Sequence, residues 1–419
     1  MALAAGAAVP ARGAEPDLDA AMAEFRAALA AQEAGDAAAY RDGLERAAAH
    51  LADPTRLLYR LAGARLAAGD RAGALTALER QVAAGFVRDP RGDVQFAALA
   101  GDAEFLHLMA RMDALLEPVV ASAELFRIGE KDLLVEGIAH DPFNGSFFVS
   151  SVHRRRVLRR SADGTVTDFV PAGAHGLAAA LGMAVDAERR LLWIVSAGLP
   201  HAAGLPEPER DTSALLAVDL ASGELRRKVE SPAGKHLWND LALAADGTVY
   251  VSDPGSASVA RVSLDGTVTT LAERHGLVSP GGLALAADGA LLYVADWSQG
   301  LAAVELATGA LAWLRPPANA TLLGIDGLRR DGDALIAIQN GITPHRITRF
   351  RLAADGRSLT AAELLERHVP GWDEPTLGVL LDGALVYVAN SQWPKFPEDG
   401  STPDLTTLAE PVVRRLPLR

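Results

Sequence analysis

From about residue 130 to the C-terminus, one pattern returns six times. It opens as Glu136-Gly-Ile-Ala, Leu181-Gly-Met-Ala, Asn239-Asp-Leu-Ala, Gly281-Gly-Leu-Ala, Asp326-Gly-Leu-Arg and Pro375-Thr-Leu-Gly, at spacings of 45, 58, 42, 45 and 49 residues. A turn follows, often Asp-Gly (Asp246-Gly247, Asp288-Gly289, Asp331-Gly332, Asp382-Gly383), and then a β-rich run such as Leu192-Trp-Ile-Val or Val386-Tyr-Val-Ala. Asp163-Gly164, Ser222-Gly223, Asp265-Gly266, Thr308-Gly309 and Asp355-Gly356 mark a further hairpin in each of the first five units. Four short strands in about 40–50 residues is the period of a propeller blade. Six blades closing into a ring leave no exposed sheet edge. The long second spacing comes from an insert, residues 199–212, expected to stand as a loop on one face. The last strands of the sixth blade must come from 393–419, with 412–416 as one of them; whether 123–128 closes that sheet is left open.

The first 120 residues read differently. They are Ala-rich, and Gly35-Asp36 recurs 34 residues later as Gly69-Asp70 and loosely again as Gly101-Asp102. Each of the first two pairs divides two amphipathic segments: Met22, Phe25 and Leu29 share a helical face, as do Leu58, Leu61 and Leu66, followed by Leu75, Leu78 and Val82. Glycine accepts the left-handed helix end, and aspartate opens the next helix. A 34-residue helix–turn–helix period resembles the tetratricopeptide repeat over about residues 17–115. Two clear repeats point to a helical cap packed on the other domain; a groove for a protein partner is the other reading. The fold class is thus α+β multidomain, with a helical repeat domain (17–120) followed by an all-β six-bladed propeller (130–419).

Composition narrows the function. The formal charge of −13 disfavours nucleic acid. The absence of cysteine removes thiolate nucleophiles, disulfides and cysteine zinc sites. No apolar run has the roughly 20 residues of a membrane span. Residues 1–16 read either as the remnant of a secretory signal, which implies a periplasmic or secreted protein, or as a plain Ala-rich tail that leaves the cytoplasm open. Neither Gly-Xaa-Ser-Xaa-Gly nor His-Glu-Xaa-Xaa-His occurs, so serine-hydrolase and zincin chemistry lack a motif.

In a propeller the inner strand of each blade runs along a central tunnel, so the six opening residues form one ring at its mouth. They are Glu136, Leu181, Asn239, Gly281, Asp326 and Pro375. Two carboxylates and an amide in a narrow tunnel suit a hard divalent cation, and without one they repel. Asp240 joins this group as an outer or second-ion residue, with a plain turn aspartate as the other reading. His140 follows Glu136 on the same strand side. His236 and Trp238 precede Asn239 as a pocket wall. His345, in the loop after Gln339-Asn340, is placed to reach a substrate. Each also has an ordinary packing role. Asp253 and Asp296 read as turn residues, and His153-Arg154-Arg155-Arg156 as a solvated charge cluster.

These motifs resemble the six-bladed propellers of the senescence-marker-protein/gluconolactonase family and their relatives, the paraoxonases and diisopropyl fluorophosphatases. The resemblance covers about residues 130–419. It implies Ca²⁺ or another divalent cation in the tunnel, held by a blade-one Glu, Asn on blades three and four, and a blade-five Asp. Glu136-Gly137, Asn239-Asp240 and Asp326-Gly327 match. Blade four reads Pro280-Gly281-Gly282, with Gly281 where the family has asparagine. The implied metal ligands are Glu136, Asn239 and Asp326, with Asp326 also the general base or nucleophile. The implied activity is metal-dependent hydrolysis of a small lactone or ester. The alternative is a non-catalytic binding propeller with a decayed metal site, as in strictosidine-synthase-like propellers.

Overall fold

The computed structural model describes residues 16–206, 212–273 and 276–419. The leader-like stretch before residue 16 and part of the 199–212 insert lie outside these.

Among the described residues, five α-helices precede the sheets: α1 (Leu18–Glu33), α2 (Ala37–Ala49), α3 (Thr55–Ala67), α4 (Arg71–Ala83) and α5 (Ala103–Ala114). The Gly-Asp pairs are the punctuation between paired helices. Gly35 and Gly69 take φ of 77° and 82°, a region L side chains avoid. Their amides turn back to Gln32 and Leu66, and the next amides, of Asp36 and Asp70, to Ala31 and Arg65, which satisfies the last carbonyls of each helix. Asp36 Oδ1 then accepts from Ala39 N at 2.9 Å and Asp70 Oδ1 from Gly73 N at 2.8 Å, capping the following helix. The apolar faces meet in a core of Tyr59, Leu78, Phe96, Phe105 and Met112.

The helices dock on the propeller through polar, chain-specific contacts. Buried Arg346 donates to the carbonyls of Ala84 (3.3 Å) and Gly85 (2.5 Å) at the end of α4. Burial lowers its pKa to about 10. Past α5, Val119 pairs with Arg367, and the buried carboxylate of Glu366 accepts the amides of Ala121 and Ser122 and the Tyr387 hydroxyl.

The propeller has six four-stranded antiparallel sheets. Five are built from consecutive strands. The sixth runs 378–381, 384–388, 412–417 and then 123–127, so the strand left open above is its outer edge, with Ala123 opposite Arg415 and Arg127 opposite Val412. The first residues of the propeller thereby hold its last strand. The inner strands are Ile138–His140, Ala179–Asp186, Leu241–Leu243, Pro280–Leu285, Ile325–Asp331 and Gly378–Leu381, and each touches the inner strand of the next blade around a closed ring. All six begin within three residues of the openings Glu136, Leu181, Asn239, Gly281, Asp326 and Pro375.

The glycine after four of these openings has a steric cause. At the neck the inner strands approach closer than a side chain allows. A Cβ on Gly137 would lie 2.4 Å from Leu181 O, on Gly182 2.9 Å from Asn239 O, on Gly282 2.4 Å from Asp326 O, and on Gly327 2.6 Å from Thr376 O. Each glycine faces the backbone of the next blade, so the repeated motif records a contact between blades. Alanine at 282 is expected to cost about 1–3 kcal/mol, because the clash is with backbone. Alanine at Gly101, where a Cβ meets nothing within 4 Å, should stay within about 0.5 kcal/mol of the parent. Urea unfolding of the two variants checks the difference.

Candidate functional site

The crowded neck sets carboxylates side by side. The inner strand of blade five breaks register between Ile325 and Gly327, so Asp326 sits in a bulge that turns its side chain out of the ladder. Its Oδ2 accepts a 2.6 Å hydrogen bond from Asn340 Nδ2. Burial pushes Asp326 up to about 7, aided by the charges of Asp240 and Glu374 and opposed by the Asn340 bond and Arg329. Glu136 is buried in front of the blade-one strand, and its Oε2 accepts from Trp393 Nε1 at 2.8 Å. Burial, then the charge of Asp326, lifts Glu136 well above the usual carboxylate range.

Asp240 lies behind them, fully buried. Its Oδ2 accepts from Arg329 at 3.1 Å, while Oδ1 has no hydrogen-bond partner. Arg329 also donates to Gly378 O at 2.7 Å and Leu328 O at 2.7 Å, so it crosses the tunnel from blade five to blades three and six. Glu374, just before the blade-six opening, has a buried and unpartnered Oε2, and burial raises its pKa too. Asn239 is partly buried; its Nδ2 is 3.8 Å from where a Cβ on Gly281 would stand. Glu136, Asp240 and Asp326 thus feel one another's charge, and Asn239 stands beside Gly281.

The other candidates have partners of their own. His140 lines a cavity of about 390 Å³ on the far side of Arg329 and packs on Phe147 at 4.8 Å. Trp238 is completely buried in the blade-two and blade-three core. His236 Nδ1 is 2.5 Å from Asp253 Oδ2, and that carboxylate also accepts the amides of Leu237 and Ser256, which ties the loop before Asn239. His345 has Asp373 and His368 as its charged neighbours. Asp296 accepts four backbone amides and fixes turns on blade four. In the basic run, Arg154 pairs with Asp132, and Arg156 with Glu130 and Asp168.

Five neighbours of the ring were not singled out from the sequence: Arg329, Asn340, Glu374, Trp297 and Trp393. Arg329 had a visible signal. The fourth residue of each opening motif is Ala139, Ala184, Ala242, Ala284 or Gly378 in five blades, and arginine in one. Trp393 comes from the non-repeating part of blade six. Its ring meets His201 of the blade-two insert edge-on at 5.1 Å, and Phe396 and Leu408 pack with Leu205 in the same cluster as Trp238, so this segment crosses from blade six to blade two.

The donor chemistry fits a hard cation. Four carboxyl groups face one guanidinium, and two buried carboxylate oxygens lack any partner. Among the described residues, no three His, Cys, Asp or Glu side chains already converge as a ready-made ligand group. Gly281 leaves room: a Cβ there would make only ordinary contacts, 3.7 Å from Asp326 O and 3.9 Å from Ala295 O. No helix among the described residues is long and apolar enough to cross a membrane.

No protein-family model matches the chain, and no curated protein does. Solved structures similar to it include a gluconolactonase from Xanthomonas campestris (22% identity, 72% of this chain and 96% of that one, TM-score 0.48). A calcium-binding protein, regucalcin, from Agrobacterium tumefaciens is another (18%, 70% and 93%, 0.47). A third is virginiamycin B lyase from Staphylococcus aureus (14%, 64% and 80%, 0.46). What this chain's mouth can do follows from its own residues.

The raised carboxyl groups predict a pH dependence. Folded Asp326 keeps its proton to about 7, and the ordinary value is 3.8. The folded state therefore holds the extra proton between those limits. The associated stability is complete below the lower limit and lost as pH rises through the upper one. In metal-free buffer, Asp326→Asn is expected to gain melting temperature relative to the parent from pH 5 to about pH 7 and to level off above that. Parallel thermal melts at each pH measure this, and a constant difference would contradict it.

Proposed function

We propose that the tunnel mouth is a divalent-cation site, calcium first among candidates, at which a small lactone or ester is hydrolysed. Glu136, Asn239 and Asp326 would hold the ion, with Asp240 and Glu374 adding negative charge around it. The observation that carries this reading is the cluster of four carboxyl groups at the crowded neck, answered by one guanidinium, with the Asp326 pKa raised to about 7. It extends the motif-level resemblance of Glu136-Gly137, Asn239-Asp240 and Asp326-Gly327 to the gluconolactonase-like propellers.

A bound divalent cation supplies positive charge for the carbonyl oxygen as it becomes an oxyanion. Asp326 does the proton work. Its carboxylate takes a proton from water as the water oxygen bonds to the carbonyl carbon. When the ester C–O bond breaks, Asp326 passes that proton to the leaving alkoxide, and the product is a hydroxy acid or an acid and an alcohol. Asn340 holds one Asp326 oxygen, leaving the other for this exchange. The Trp393 bond fixes the Glu136 carboxylate. Trp393 puts an aromatic ring beside Glu136, and Phe396 anchors its segment in the core. A periplasmic or secreted setting and a protein partner for the helical domain belong with this reading as proposals.

Gly281 favours the second reading, a binding propeller, because it removes one amide oxygen from the ring. Two substitutions separate them. Asp326→Asn should lower kcat on lactones by about 10²-fold or more while the fold survives. Gly281→Asn should tighten calcium binding measured by calorimetry, since it adds a hard oxygen where space exists. If neither substitution alters calcium binding and the parent turns over no lactone or aryl ester, the hydrolase reading fails.

A further inference from the structure

The helical domain reaches the neck through an unbroken chain of contacts. It starts at Asp53, buried before α3. One carboxylate oxygen accepts Thr55 N (3.0 Å) and Oγ1 (2.6 Å) of that helix, and the other accepts Thr321 Oγ1 (2.6 Å) and Leu322 N (2.7 Å) of the propeller. This clamp fixes the first turn of α3 and, with it, Arg56. The Arg56 guanidinium donates to Gly341 O at 3.1 Å and lies 4.7 Å over the Trp297 ring. Trp297 is pressed from another side by Gly341, where a Cβ would come within 2.3 Å of the indole. Trp297 is nevertheless 41% exposed, so the guanidinium is a main constraint on that ring.

From Trp297 the chain enters the site. The indole Nε1 donates to Asn340 Oδ1 at 3.2 Å, and Asn340 Nδ2 donates to Asp326 Oδ2 at 2.6 Å. An indole N–H only donates and the ionised Asp326 carboxylate only accepts, so in that state the Asn340 amide has one orientation that serves both. Without the indole bond Asn340 Oδ1 loses that donor, and the amide is held at its Nδ2 end by the Asp326 bond.

We propose that Arg56 and Trp297 are positioning residues that act through Asn340 on Asp326, so that the mouth is complete only while α3 is docked on blades four and five. The helical domain is then part of the site, and its release loosens the Asp326 carboxylate. The functional consequence rests on the reading of Asp326 given above; the contact chain does not.

The test uses the full chain and two kinds of readout. In ¹⁵N spectra, the Trp297 indole signal is assigned by its loss in Trp297→Phe and the Asn340 side-chain amide by its loss in Asn340→Ser. Arg56→Ala should shift both, and Arg56→Lys, which keeps a cation over the ring, should restore them in part. Unmoved Asn340 signals in a folded Arg56→Ala protein overturn the proposal. In turnover, Arg56→Ala should lower kcat on a lactone by roughly two- to tenfold, the worth of one hydrogen bond, with KM little changed. Shifted signals with an unchanged kcat also overturn it. If the signals shift but the parent neither binds calcium nor hydrolyses lactones, the contact chain stands and the hydrolase reading falls.

Discussion

The approach of six inner strands at the neck, closer than a Cβ permits, is the constraint on which the rest depends. Gly137, Gly182, Gly282 and Gly327 each let the next blade's backbone come into contact. That closeness closes the ring and brings Glu136, Asp240 and Asp326 from three blades into one neck. The same crowding strips water from their carboxyl groups, and burial is the leading cause of the raised pKa at both Glu136 and Asp326.

The charge left by this arrangement is only partly answered inside the chain. Arg329 crosses the tunnel and meets Asp240, and it also lines the cavity on which His140 lies. One oxygen each of Asp240 and Glu374 remains without a partner. Such charge is answered by a cation or, at Glu136, Asp326 and Glu374, where burial raises the pKa, by a proton. The two outcomes are linked, since either relieves the repulsion between Asp326 and its neighbours.

The helices follow the same economy of contacts. Their apolar core is their own, but their attachment is polar and specific: Asp53 to blade five, Arg346 to the end of α4, Glu366 to the linker after α5. All three involve buried charged groups with named partners, which fixes one docking arrangement. That arrangement places Arg56 over Trp297, three contacts from the Asp326 carboxylate.

Much of this was legible in the sequence, for a physical reason. Each blade must solve the same local problem, so its turns, its β-rich run and its neck residue recur, and repetition made Glu136, Asn239, Asp240 and Asp326 visible as one ring. The Gly-Asp pairs of the helices were legible because capping acts within a few residues. What the tertiary structure alone decided is non-local. Asn340 stands beside Asp326 within blade five, because Ile325 pairs with Gln339, whereas Glu374 comes from the segment before blade six and meets Asp326 and Glu136 only in the closed ring. Trp393 reaches Glu136 from 257 residues away, on a segment with no counterpart in the other blades. Arg56 belongs to another domain. His140 and Trp238 stand near ring residues in the chain but not in the site, because four residues of strand carry His140 past Arg329 and core packing buries Trp238. Sequence periodicity fixes which residues face the tunnel; which side chains meet there depends on how blades and helices close on one another.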